Sequence, residues 1–243
     1  MNYNQFNGQT PPPYNGGYQT GALTRQVNSV MTKVYVRMFI GLLISAFCAL
    51  GVASSPSMIH AILGNQLVFW GMLIAMLVMA FVIPARAMSM SSTAVFGLFC
   101  LFSALMGAYL APIFLVYKLG TITSTFFITA GTFGAMSVYG YFTKRDLGKL
   151  GTYLIMALFG LIILCIVNIF MKSTTTQWII TIVGLLIFVG LTAYDTQYVR
   201  RISQSNLDPA VSDRLATLGA MNLYLDFINM FLFILRIMGA SRD

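Results

Sequence analysis

The chain contains no glutamate, a single histidine, three cysteines and only six acidic residues, all of them aspartate. Each shortage removes a class of function. His60 has no ligand partner in its own loop, so no histidine-built metal centre is expected. Cys48, Cys100 and Cys165 have no CxxC or CxH neighbour. They read as small core residues rather than a metal site or a disulfide. No Gly-x-Ser-x-Gly, P-loop or His-Glu-x-x-His stretch occurs, so no enzyme is expected and no cofactor. Charge itself is scarce, at 8% of residues, where a soluble domain carries about 25%.

What fills the 243 residues is apolar sequence, 58% of the chain, in continuous rather than alternating runs. Only helices or closed barrels satisfy their backbone in lipid, and continuous runs exclude the barrel. The expected fold is an all-α membrane protein with seven transmembrane helices at about 34–54, 67–83, 93–114, 121–142, 152–171, 178–199 and 215–238. Residues 1–24 (rich in Asn, Gln, Gly, Pro and Tyr) form a tail expected to be disordered, ahead of a transmembrane domain over 25–243. The tail has no basic start and no apolar segment, so it does not read as a signal peptide. Its PPPY fits a WW-type groove, but an inert tail is the favoured reading.

The net charge of +8 sits between apolar runs, which points to lipid headgroups and orientation rather than nucleic acid. With seven spans, Arg25, Lys33, Arg37, Arg86, Lys144, Arg145, Lys149, Arg200, Arg201 and Arg214 share one side. Lys118, Lys172 and Arg242 lie on the other. Basic loops stay in the cytoplasm, so the N-terminus is expected inside and the C-terminus on the opposite face. Short loops suggest a bacterial inner membrane.

Two aspartates lie within apolar sequence, Asp195 in FVGLTAYDTQYVR and Asp226 in LYLDFINMFLFILRI. A carboxylate at membrane depth costs several kcal/mol unless protonated, paired or hydrated. On the last span, Gly219, Asn222, Asp226, Asn229 and Arg236 recur at helical spacing and make one polar stripe. That helix is therefore expected at the centre, surrounded by the other six. The fourth span, TITSTFFITAGTFGAMSVYG, is rich in Thr, Ser and Gly, which favours close packing over a pore lining. The two aspartates meet only if span seven begins outside the membrane or span six runs beyond it. Asp195 is about 7.5 Å of helical rise from Arg200, and Asp226 about 18 Å from Arg214.

If they meet, both cannot stay charged cheaply, and the pair shares a proton. Protonated, it joins two helices; deprotonated, it repels, admits water and attracts cations. Two carboxylates supply too few oxygens for a calcium cage, since Ca²⁺ takes about six to eight. Weak, transient metal contact at Asp195 and Asp226 is the expectation, with Ca²⁺ as a permeating ion. Helix packing by each aspartate alone is the bland alternative. A water-activating pair is another, since Tyr194-Asp195 matches half of the intramembrane aspartyl protease signature. Leu223-Tyr224-Leu225-Asp226 stands where that signature has Gly-x-Gly-Asp, which counts against it.

GYFTKRDLGKLG at 140–151, VNIFMKS at 167–173, TAYDTQ at 192–197 and LYLDFINMFLFILRI at 223–237 resemble the transmembrane Bax-inhibitor-motif family. ALMGAYLAPIF at 104–114 and TFGAMSVYGY at 132–141 do so as well, and the prokaryotic members are most similar. The resemblance implies a seven-helix fold with a central last helix and a pH-sensitive calcium leak. Its di-aspartyl sensor falls on Asp195 and Asp226. In family members an arginine near the second span latches that pair; Arg86 is the nearest candidate here. Other relatives modulate a membrane-bound ATP-dependent protease, which makes a non-conducting regulator the alternative function.

Overall fold

The computed structural model describes residues 16–205 and 207–240, the side chains of 16–25 and 63 aside. The described residues form α-helices α1 (Gly16–Ala53), α2 (Pro56–Leu63), α3 (Gln66–Arg86), α4 (Ser92–Leu110) and α5 (Ile113–Val116). They continue as α6 (Leu119–Phe142), α7 (Gly148–Met171), α8 (Thr174–Ser203) and α9 (Pro209–Ala240), with no strand among them. Polar caps start several of them. Asn65 accepts the Leu67 N–H ahead of α3, Ser91 the Ala94 N–H ahead of α4, and Ser173 the Thr176 N–H ahead of α8. Each cap pairs a donor that the first helical turn leaves free.

Six stretches, within α1, α3, α4 continued through α5, α7, α8 and α9, are long and apolar enough to cross a membrane. With 24 residues, α6 is long enough but falls outside that set. Its threonines dilute the apolar average. Thr125, Thr129 and Thr132 each donate to the carbonyl one turn back, at 2.7, 2.8 and 3.0 Å. These hydroxyls are thus satisfied within the helix. Large apolar side chains such as Phe81, Phe159, Ile163 and Phe170 point outward, as a lipid-facing surface requires.

Burial separates the centre from the rim. In its most apolar window α9 is 61% buried, against 6% in α7 and 11% in α3. The centre of the bundle is therefore α9, but it is not enclosed by all six other long helices. It packs against α1, α4, α6 and α8, while α3 sits outside α4 and α7 outside α8. Four neighbours already cover the circumference of one helix, so the others form an outer layer. Near the middle of α9, the buried Tyr224 hydroxyl meets Ser45 Oγ of α1 at 2.7 Å, and that hydroxyl bonds the Ser103 carbonyl of α4. The Tyr224 ring meets Phe99 and Phe102 edge-on.

Of the expected 1–24 tail, residues 1–15, and with them PPPY, lie outside the described residues. At Gly16 α1 already begins. The buried positions Val27, Val30, Met31 and Val34 recur at helical spacing, so the helix that carries them extends upstream of the expected first span.

Candidate functional site between α8 and α9

Asp195 projects from α8 and Asp226 from α9, the most extensively packed helix pair of the molecule. Their carboxyl groups stand within hydrogen-bonding reach of each other. Both helices run past the expected spans. At Pro209, α9 begins six residues ahead of the expected span, and α8 continues to Ser203. Arg200 and Arg201 in the last turn of α8 suit the negative end of its dipole.

Small residues let neighbours close on this part of α8. At Gly140 of α6 a Cβ would overlap the Ala193 carbonyl, and at Gly219 of α9 it would press into Val199. Below the pair, Gln197 accepts the Leu147 N–H at 2.9 Å and donates to the Arg145 carbonyl at 2.8 Å. The turn between α6 and α7 is thereby fixed to the same helix.

Asp226 is buried at 3% exposure, whereas Asp195 is partly exposed. Oδ2 of Asp226 takes no hydrogen bond from any donor group among the described residues. The hydroxyls of Thr196, next to Asp195, and of Ser137, one turn from Gly140, are also buried without a described partner. No cation balances the pair: the ion pairs among the described residues are Lys33–Asp213, Arg37–Asp213 and Arg201–Asp146. Two facing carboxyl groups with no counter-charge are costly to ionise together in a low-dielectric setting. Among the described residues no cluster of three or more His, Cys, Asp or Glu exists.

The other residues picked from sequence lie apart from one another. Arg86 ends α3 with its side chain exposed, and it makes no ion pair among the described residues. Asn222, one turn before Asp226, lines a cavity of about 200 Å³ with Val30, Pro84, Tyr198 and Gly219. The side-chain amide of Asn229 donates to the Leu225 carbonyl of its own helix. Arg236 lies near the far end of α9, 3.5 Å from the Thr181 hydroxyl. The polar stripe is thus divided among a buried carboxyl, a cavity wall, a helix-internal bond and an exposed cation.

Sequence reasoning missed one cluster. Arg37 of α1 donates to Asp213 Oδ2 at 2.8 Å, the Asp213 carbonyl at 2.6 Å and Thr217 Oγ1 at 2.7 Å, and lies over the Phe96 ring. Lys33 bonds the other Asp213 oxygen at 3.0 Å. The four-residue step from Lys33 to Arg37, which puts both on one helix face, was the available signal.

The family model for the inhibitor of apoptosis-promoting Bax1 matches residues 27–243. The inner membrane protein YbhL of Escherichia coli strain K12 is 43% identical over 218 residues, covering 89% of this chain and 93% of that protein. A Borreliella burgdorferi protein is 42% identical over 217 residues, covering 89% and 94%. Protein YrjE of Lactococcus lactis is 37% identical over 217 residues, covering 88% and 92%. With the helical bundle and its apolar exterior, these matches establish that the chain is an integral membrane protein belonging to the Bax inhibitor family.

Proposed function

We propose that this protein is a pH-sensitive calcium leak channel whose gate is the Asp195–Asp226 pair. One observation carries the reading: the two carboxyl groups face each other across α8 and α9 with no cation to balance them. A shared proton lets them act as a hydrogen-bonded clasp. Loss of that proton leaves two negative groups in contact, which repel, draw in water and attract a divalent cation. The cavity at Asn222 lies between the Ser203 end of α8 and the Leu215–Asn222 stretch of α9, and in this reading it is the vestibule. Four carboxylate oxygens with water hold Ca²⁺ only briefly, which suits passage rather than storage.

The reading takes α6 as a seventh crossing, with the N-terminus in the cytoplasm and the C-terminus outside. Self-satisfied threonines lower the cost of α6 in lipid. The basic connections 143–149 and 200–214 then share the cytoplasmic face.

The test is flux into liposomes loaded with a calcium dye. Wild-type flux rises with pH as the pair loses its proton. Asp195→Asn and Asp226→Asn each flatten that dependence. A pH profile unchanged by both substitutions refutes the gate. Absence of flux together with stable co-purification of a membrane-bound ATP-dependent protease would instead support the regulatory role.

A further inference from the structure

The end of the bundle away from the basic loops carries few charges. Among the described residues they are Lys118 and Lys172, with Arg236 close below. Two of these three converge. Lys172 and Arg236 line one cavity of about 410 Å³, together with Asn168, Gln177, Ile180 and Cys165. The cavity lies where α7 ends and α8 begins, against the last turns of α9. No described carboxylate is there: Asp146, Asp208 and Asp213 lie at the other end, and Asp195 and Asp226 form the pair. The sixth, Asp243, lies outside the described residues.

Arg236 is an exposed cation near the end of α9. It interrupts the apolar run FLFILRI, yet its one hydrogen bond to a described group is the 3.5 Å contact with Thr181, at the outer limit of such bonds. A guanidinium has five N–H donors, so most of them remain for a ligand. Lys172 adds an ammonium, while Asn168 and Gln177 add amides that donate or accept. Two cations in one cavity repel each other unless an anion sits between them. An oxyanion with several acceptor oxygens meets this donor set, and phosphate is the matching chemistry.

We propose that this cavity binds a phosphate group, which in the membrane belongs to the headgroup of an anionic phospholipid. The apolar flank of Ile169 and Ile180 suits the adjoining glycerol and acyl region. The site is separate from the carboxyl pair and does not depend on the channel reading.

The test uses the full chain in lipid nanodiscs, with phosphatidylglycerol bearing a photoreactive headgroup as the probe and phosphatidylcholine as the neutral comparison. Crosslinked peptides are mapped by mass spectrometry. Phosphatidylglycerol should label the segments around 168–180 and 236 in preference to phosphatidylcholine. The double substitution Lys172→Gln, Arg236→Gln should weaken that labelling about thirtyfold, from the loss of two cations. Labelling near 143–149 should be unchanged. Arg236→Lys, which keeps the charge, retains the labelling and covers the case of a double variant that fails to fold. Resistance to added inorganic phosphate identifies the lipid headgroup. Displacement by it assigns the cavity to free phosphate and overturns the lipid assignment. Equal labelling by both lipids, or labelling indifferent to the double substitution, overturns the anion site.

Discussion

Arg37 and Asp213 allow a prediction in which the sizes of competing effects decide the outcome. An exposed ion pair contributes about 0–1 kcal/mol, whereas removing one partner of a buried pair costs about 3–5 kcal/mol. The Arg37 and Asp213 side chains are 17% and 21% exposed, between those cases. Arg37→Met removes three charge-assisted hydrogen bonds and the guanidinium that lies over Phe96. It does not leave Asp213 unbalanced, because Lys33 remains 3.0 Å away. The expected loss is therefore about 2 kcal/mol, not the full cost of an orphaned buried charge. Lys33 is half exposed, so Lys33→Met should cost no more than about 0.5 kcal/mol. Asp213→Asn should cost about 2 kcal/mol, and with Arg37→Met the double variant should lose about 1–2 kcal/mol less than the sum. Chemical unfolding of the purified protein in a fixed detergent, followed by helical circular dichroism, measures all four. Equal costs for Lys33→Met and Arg37→Met, or strict additivity of Arg37→Met with Asp213→Asn, would refute the assignment of Arg37 as the tie between α1 and α9.

Two glycines of α6 should respond in opposite directions. Gly140→Ala pushes a methyl against the Ala193 backbone and should destabilise by about 1–3 kcal/mol, read as a lower melting temperature. Gly134→Ala meets nothing within 4 Å and should be neutral or stabilise by up to about 1 kcal/mol. At the exposed turn before α7, the Gly148 N–H bonded to Asp146 and the nearby Arg201 hold the Asp146 carboxyl below the usual carboxylate range. A lowered folded value means that its contribution is complete above the ordinary value of about 3.9 and fades as pH falls through the lowered one. Carbon-13 carboxyl shifts should show Asp146 titrating below the ordinary aspartate value, and Arg201→Gln should move it upward.

The apolar runs, their helical form and the two acids within apolar sequence were legible because lipid imposes one strong rule, that every backbone group pairs within its own segment. Helix ends were less so. The span reading stopped at residue 199 and resumed at 215, whereas α8 runs to Ser203 and α9 starts at Pro209. Polar residues such as Arg201 and Asp213 prolong a helix in water as readily as apolar ones do in lipid, and hydropathy is blind to that. The same blindness hid the Arg37–Asp213 tie, which joins residues 176 apart at an end of the bundle where charge looks unremarkable. The central place of α9 followed from its polar stripe, but periodicity says which face is polar, not what each polar residue meets. Asn222 at a cavity and Asn229 bonded to its own helix look alike in sequence.

The contacts of α6 bear on what its average hydropathy leaves out. Hydropathy leaves it outside the set of crossing helices, although it has the length. Its contacts run along a helix that is inside that set. Thr125 meets Met238 near one end of α9, Phe126 and Phe133 both meet Phe227 at its middle, and Ser137 and Gly140 lie lower on α6. At the far end, Tyr141 reaches Asn28 of α1 and accepts Arg200 of α8 at its carbonyl. A helix held beside α9 from Met238 to Phe227, and beside α8 from Ala193 to Arg200, runs along both of them. Its exposed Phe127 and Val138 also face outward, where water would be a poor neighbour. These contacts are the grounds for proposing a seventh crossing, because burying α6 against two spans without crossing with them would require either its partners or its own outer face to leave the lipid.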